Sequence, residues 1–181
     1  MNTFENRKAE SQYWFNKSSD LRAAAAALWM STDGDIASEI VNDCELGTGF
    51  SMAVATPPVL HMLCGMAMEL VFKALTVETG GTVNESTHDL LLHASSTGLS
   101  YTPEERELLK VLSHDIIWAG RYPTPKKESQ MADYNSLVRK ALFDRVPMGN
   151  LTALQHNQAL GWESFNSLWS KAAHEFYRIK A

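Results

Sequence analysis

The stretch that decides the fold is TPPVLHMLCGMAMELVFKALTVETGG, residues 56–81. Thr56-Pro57-Pro58 reads as a helix start, because proline fits the first turn and needs no donor there. Gly80-Gly81 reads as its stop. Between them the chain is apolar almost all round: Leu63, Leu70, Ala74 and Val77 on one side, Leu60, Val71 and Leu75 on the other. Such a helix must be central and covered by its neighbours. It nevertheless carries Glu69 and Lys73, spaced so that both fall on one stripe and can pair.

Outward from this helix the pattern stays helical. Residues 9–30 carry Trp14, Leu21, Ala25 and Leu28 at helical spacing, and residues 33–46 form a shorter helix ended near Gly47, with a loop to residue 55. HDLLLHAS, residues 88–95, follows a cap at Ser86 or Thr87. Thr102-Pro103-Glu104-Glu105 opens a helix that reaches Ala119 and stops at Gly120. Residues 127–144 form a more polar helix broken by Pro147-Met148-Gly149. The last helix places Phe165, Leu168, Trp169, Ala172, Phe176 and Ile179 on one face. No alternating run predicts a strand. The expected fold is all-α, an up-and-down bundle of about five to seven helices in a single domain.

Composition agrees: 181 residues, 45% hydrophobic and 20% charged, with a formal net charge of -5. Such a balance draws in no nucleic acid through a global field. Residues 121–145 differ, with six Lys or Arg against Glu128, Asp133 and Asp144, which is +3 locally and leaves -8 elsewhere. Cys44 and Cys64 make no metal pattern. The polar N-terminus suggests no signal peptide, and no apolar run is read as spanning a membrane, so the expected location is the cytoplasm.

HDIIWAGRYPTP, residues 114–125, is the second informative stretch. Gly120 ends a helix, Pro123 and Pro125 stiffen the backbone beyond it, and Arg121-Tyr122 stands between them. A guanidinium on so stiff a root suits a carboxylate or a phosphate. The carboxylate nearest to hand by this reading is Glu69, so Arg121 is expected to reach inward to it.

Taken in order, AMELVFKALTVETGG, STHDLLLHA and LSHDIIWAGRYPTP, together with the aromatic opening SQYWFNKSSDLRAAAAAL, resemble the HEPN domains (higher eukaryotes and prokaryotes nucleotide-binding). The resemblance covers about residues 10–145, with residues 150–180 as an extra C-terminal helix. It implies an all-helical homodimer that recognises a nucleotide, RNA or a partner protein, with a nucleotidyltransferase-type antitoxin as candidate partner and no cofactor. It also implies a polar cluster of Glu69, Lys73, His88, Asp89, Arg121 and Tyr122. RNA-cleaving members pair an arginine with a histidine four to six residues on, and no arginine here has one. The binding reading therefore leads. The alternative is a metal-independent RNA-cleaving toxin in which Arg121 works with a histidine distant in sequence, His88 or His114. A third reading, a metal-dependent phosphohydrolase, would draw on His61, His88, Asp89, His114 and Asp115.

Overall fold

The computed structural model describes residues 3–181. The chain is predominantly α-helical: α1 (Phe4–Ala9), α2 (Ser11–Met30), α3 (Gly34–Asp43), α4 (Met52–Glu78), α5 (Leu90–Ser95), α6 (Pro103–His114), α7 (Glu128–Leu142) and α8 (Trp162–Lys180). A π-helical turn, Asp115–Ala119, continues α6.

The central helix is α4, as its composition demands. Ala67, Met68, Val71, Phe72, Ala74 and Leu75 have no exposed surface. Helix α2 packs along it more extensively than any other pair of helices meets, and α8, α5, α6 and the π turn cover the rest. Ser18 ties three helices together, donating to the Ala67 carbonyl at 2.6 Å and accepting from Trp169 Nε1 at 2.8 Å. Phe15 stacks on Phe176 at 4.4 Å between centroids. The apolar stripe of α8 is buried where it was expected, at Phe165, Leu168, Trp169, Ala172 and Phe176.

Four local readings are corrected. Helix α4 begins at Met52, not at Thr56, so Pro57 and Pro58 lie inside it. Their missing donors belong to the turn beginning at Ala53 and Val54, and Val54 is 76% exposed, so water can serve the freed carbonyls. At 27 residues, α4 is also long and apolar enough to cross a bilayer by length and composition, with 67% of its most apolar window buried. Helix α5 is capped by Asp89, whose carboxylate accepts from Leu91 and Leu92 N–H, rather than by Ser86 or Thr87. Finally, the segment after α7 is a hairpin: β1 (Phe143–Met148) pairs antiparallel with β2 (Leu151–His156), with Arg145 opposite Leu154 and Phe143 opposite His156. Gly149 has φ +61°, a left-handed value that suits glycine in the turn. Pro147-Met148-Gly149 does end the helical pattern, but its meaning as a hairpin turn depends on the partner strand.

The π turn and α4 approach so closely that glycine is required at both contacts. A Cβ on Gly65 would meet Ile116 Cγ1 at 2.8 Å, and one on Gly120 would meet Met62 Cβ at 2.4 Å and the Pro58 carbonyl oxygen at 2.8 Å. Gly120→Ala is therefore expected to destabilise the fold by about 2 kcal/mol through overpacking. Urea unfolding measures this, and an unchanged midpoint would show that the contact yields freely.

Candidate functional site

Helix α4 presents Glu69 and Lys73 on one stripe, and both are buried, at 5% and 7% exposure. Lys73 Nζ donates to Glu69 Oε1, and the ammonium lies 5.7 Å from the Trp14 ring centroid. Glu69 Oε2 faces His88 Nδ1 at 2.9 Å. Burial pushes the Glu69 carboxyl up, but the hydrogen bonds from Lys73 and His88 outweigh it and hold the group below its ordinary range. His88 reaches in from the segment before α5 with its side chain 51% exposed, so one ring edge binds the acid while the other meets solvent.

Arg121 does not make the expected bond to this acid. Its Nη2 donates to the Ile117 carbonyl at 2.7 Å, one turn back on the π segment, and the guanidinium is exposed. The physical reason is that Glu69 is already satisfied by a neighbour four residues along its own helix. Arg121 still borders the same cavity, of about 330 Å³, with Met62, Met66, Glu69, Leu70, His88 and Ile116. It also borders a second cleft, of about 620 Å³, with Ile117, Trp118, Tyr122, Pro123, Thr124, Pro125, Lys126 and Gln130. The arginine thus stands between two adjoining hollows, one acidic and apolar, the other aromatic and basic.

The π turn sets this arrangement. Gly120 N–H bonds the Asp115 carbonyl at 3.1 Å, a five-residue closure, and Arg121 and Tyr122 N–H both converge on the Trp118 carbonyl. An extra residue per turn of this kind re-aims the chain beyond it, and such turns recur at functional sites. Tyr122 is 58% exposed, whereas Trp118 is 8% exposed and its Nε1 has no hydrogen-bond partner among the described residues.

Of the remaining expected members, Asp89 is spent as the cap of α5 and lines neither hollow. Tyr122 lines the second cleft, not the Glu69 cavity. His114 also stands apart, its ring 5.8 Å from that of Tyr134, and burial lowers its pKa. His93 is buried at 5% exposure with Nε2 against the Thr87 carbonyl.

A polar cluster that sequence reasoning did not assemble lies behind the π turn. Asp115 is fully buried, accepts from Tyr134 Oη at 2.7 Å, and directs Oδ2 toward His61 Nδ1 at 3.6 Å. Burial raises the Asp115 carboxyl to about 7, with the Tyr134 bond acting the other way, and burial lowers His61. Both directions favour neutral partners, so below about pH 7 the close approach is a neutral acid facing an imidazole rather than an ion pair. His61 Nε2 lies 3.1 Å from the Leu160 carbonyl; a proton there leaves Nδ1 as an acceptor facing the acid. The metal reading grouped His61 and Asp115 with His88, Asp89 and His114, but the five do not come together: His88 is at Glu69, Asp89 caps α5 and His114 stands apart. No group of three or more His, Cys, Asp or Glu side chains placed to hold a metal occurs among the described residues.

No protein-family model, curated protein or solved structure matches the chain.

Proposed function

We propose that the chain is a HEPN-like binding module whose ligand is a nucleotide or a short stretch of RNA, held at Arg121. One observation carries the reading: Arg121 is exposed, has no carboxylate within 4.0 Å among the described residues, and faces two hollows at once. A planar guanidinium left over from internal pairing suits a phosphate. Lys126 adds a second cation, and the Tyr122 ring offers a stacking face for a base. The order of the sequence pieces around this site supports the family likeness.

The expected result is that wild-type protein binds nucleoside monophosphates or a short RNA, read by tryptophan fluorescence, and that Arg121→Ala weakens binding at least tenfold, about 1.4 kcal/mol. Its melting temperature should stay within error, because the side chain makes only exposed contacts, with the Ile117 carbonyl and with the Tyr122 ring at 5.6 Å. Equal binding by the variant would reject the site, and a lower melting temperature with unchanged binding would make Arg121 structural.

A second reading has its own observation, since His88 borders the same cavity as Arg121. An arginine and a histidine beside one hollow are the groups that metal-independent RNA cleavage uses, here brought together from distant segments. Growth arrest with RNA degradation on induction, lost in both Arg121→Ala and His88→Ala, would favour cleavage over binding alone.

A further inference from the structure

The basic segment noted in the sequence does not end at Arg121. Its far end builds a separate groove, of about 770 Å³, between the C-terminal half of α7 and the hairpin, lined by Ser136, Arg139, Lys140, Phe143, Arg145, Thr152 and Leu154. The construction reflects two periodicities. Ser136, Arg139 and Lys140 recur at helical spacing and share one face of α7. On β1, Phe143 and Arg145 share a face with their cross-strand partners His156 and Leu154, and Thr152 lies on the same side of β2. The hairpin is anchored there by Asn157, whose N–H bonds the Leu142 carbonyl at 2.8 Å and whose Nδ2 donates to Asp144 at 3.1 Å.

The charges in this groove are unevenly answered. Lys140 is held by Glu107 at 3.1 Å, and Glu107 also takes Lys110 at 3.0 Å. Asp144 alternates to the opposite face of β1 and is occupied by Asn157. Arg139 and Arg145 have no carboxylate within 4.0 Å among the described residues, and both are exposed. Two guanidinium groups without a carboxylate thus face one groove from two elements, in a chain of net charge -5. Ser136 and Thr152 add hydroxyl donors. The Phe143 ring, set edge-on to His156 at 5.5 Å between centroids, adds an aromatic surface.

We infer that this α7–hairpin groove binds the phosphodiester backbone of single-stranded nucleic acid, with Arg139 and Arg145 each meeting a phosphate. The groove is open and far larger than one inorganic phosphate needs, and cations interleaved with an aromatic ring are the arrangement that tracks a flexible strand. The site is built largely from the hairpin, so it lies apart from the cleft at Arg121 and stands whether or not that cleft binds a nucleotide.

The test is fluorescence anisotropy with a labelled single-stranded RNA dodecamer of mixed sequence, titrated with the full chain at several salt concentrations. The double variant R139A/R145A is expected to weaken binding at least tenfold. Two lost phosphate contacts should also flatten the slope of log K against log salt by about 1.4, at about 0.7 per contact for single strands. R139Q/R145Q, which preserves more of the side-chain bulk, serves as the second variant should the alanine pair disturb the hairpin, and circular dichroism reports on that. Unchanged affinity and slope in a folded double variant would overturn the proposal. So would displacement of the dodecamer by an equal concentration of inorganic phosphate, which would mark a small-anion site instead. Loss of dodecamer binding in R121A but not in either groove variant would also overturn it while sparing the cleft reading.

Discussion

Asp115→Asn is expected to stabilise the fold at pH 8 by about 2 kcal/mol and to destabilise it by about 2 kcal/mol at pH 4, where the buried acid is neutral and only the cost of burying the amide remains. Asp115 has no exposed surface, and burial raises its carboxyl from 3.8 to about 7. Because the folded value lies above the unfolded one, the stability linked to this proton is fully present below about pH 4 and is lost as pH rises to about 7. A shift of that size corresponds to about 4 kcal/mol at about 1.4 kcal/mol per pH unit. Asparagine is permanently neutral and keeps an oxygen for the Tyr134 hydroxyl, but its own burial returns part of the gain, hence the smaller figure. The groups facing Asp115 set the background. His61 and Cys64 reach it from α4 and Tyr134 from α7. Burial lowers His61, which acts in the opposite sense: its contribution is present above its ordinary 6.5 and is lost as pH falls. The informative quantity is therefore the difference between variant and wild type, from urea unfolding at pH 4, 6 and 8. A difference that stays flat across that range would mean that the acid does not titrate as its burial requires.

The second large effect concerns the buried pair on α4. Glu69→Leu should destabilise the protein by about 3 kcal/mol, because it leaves the Lys73 ammonium enclosed without its carboxylate. Lys73 is 7% exposed and keeps only the face of Trp14, at 5.7 Å from the ring centroid, which replaces little of an ion pair. The double variant E69L/K73M should recover most of the loss, since two apolar side chains of similar volume suit a helix that is otherwise apolar there. Chemical unfolding of the two single variants and the double one completes the cycle. Additive losses would show that the two residues do not act as a pair. The pair should also matter less in acid: the Glu69 carboxyl is held below its ordinary 4.5, so its contribution is present above that value and is lost as pH falls through the folded pKa.

Together these two clusters frame the π turn. Glu69, Lys73 and His88 hold the front of α4 against the segment before α5, while Asp115, Tyr134 and His61 hold the turn against α4 and α7. Arg121 and Tyr122 project from a support fixed on both sides, which is what a binding residue on a loop requires.

Sequence by itself determined most of the helices, though not α1 or the start of α4, and the centre of the bundle. Apolar periodicity, glycine stops and the Thr102 capping box are local properties, and α4 is central because nearly every face of it is apolar. Of the six residues grouped by resemblance, Glu69, His88 and Arg121 border one cavity and Lys73 bonds Glu69, whereas Asp89 and Tyr122 lie elsewhere. What sequence could not decide was who bonds whom. Glu69 is met by Lys73 on its own helix at one oxygen and by His88 at the other, and that leaves Arg121 free. The π turn, the neutral Asp115–His61 contact and the α7–hairpin groove were all decided by tertiary structure. Each depends on groups far apart in the chain meeting in a buried or paired setting, and no local pattern encodes the desolvation and cross-strand pairing that such a meeting brings.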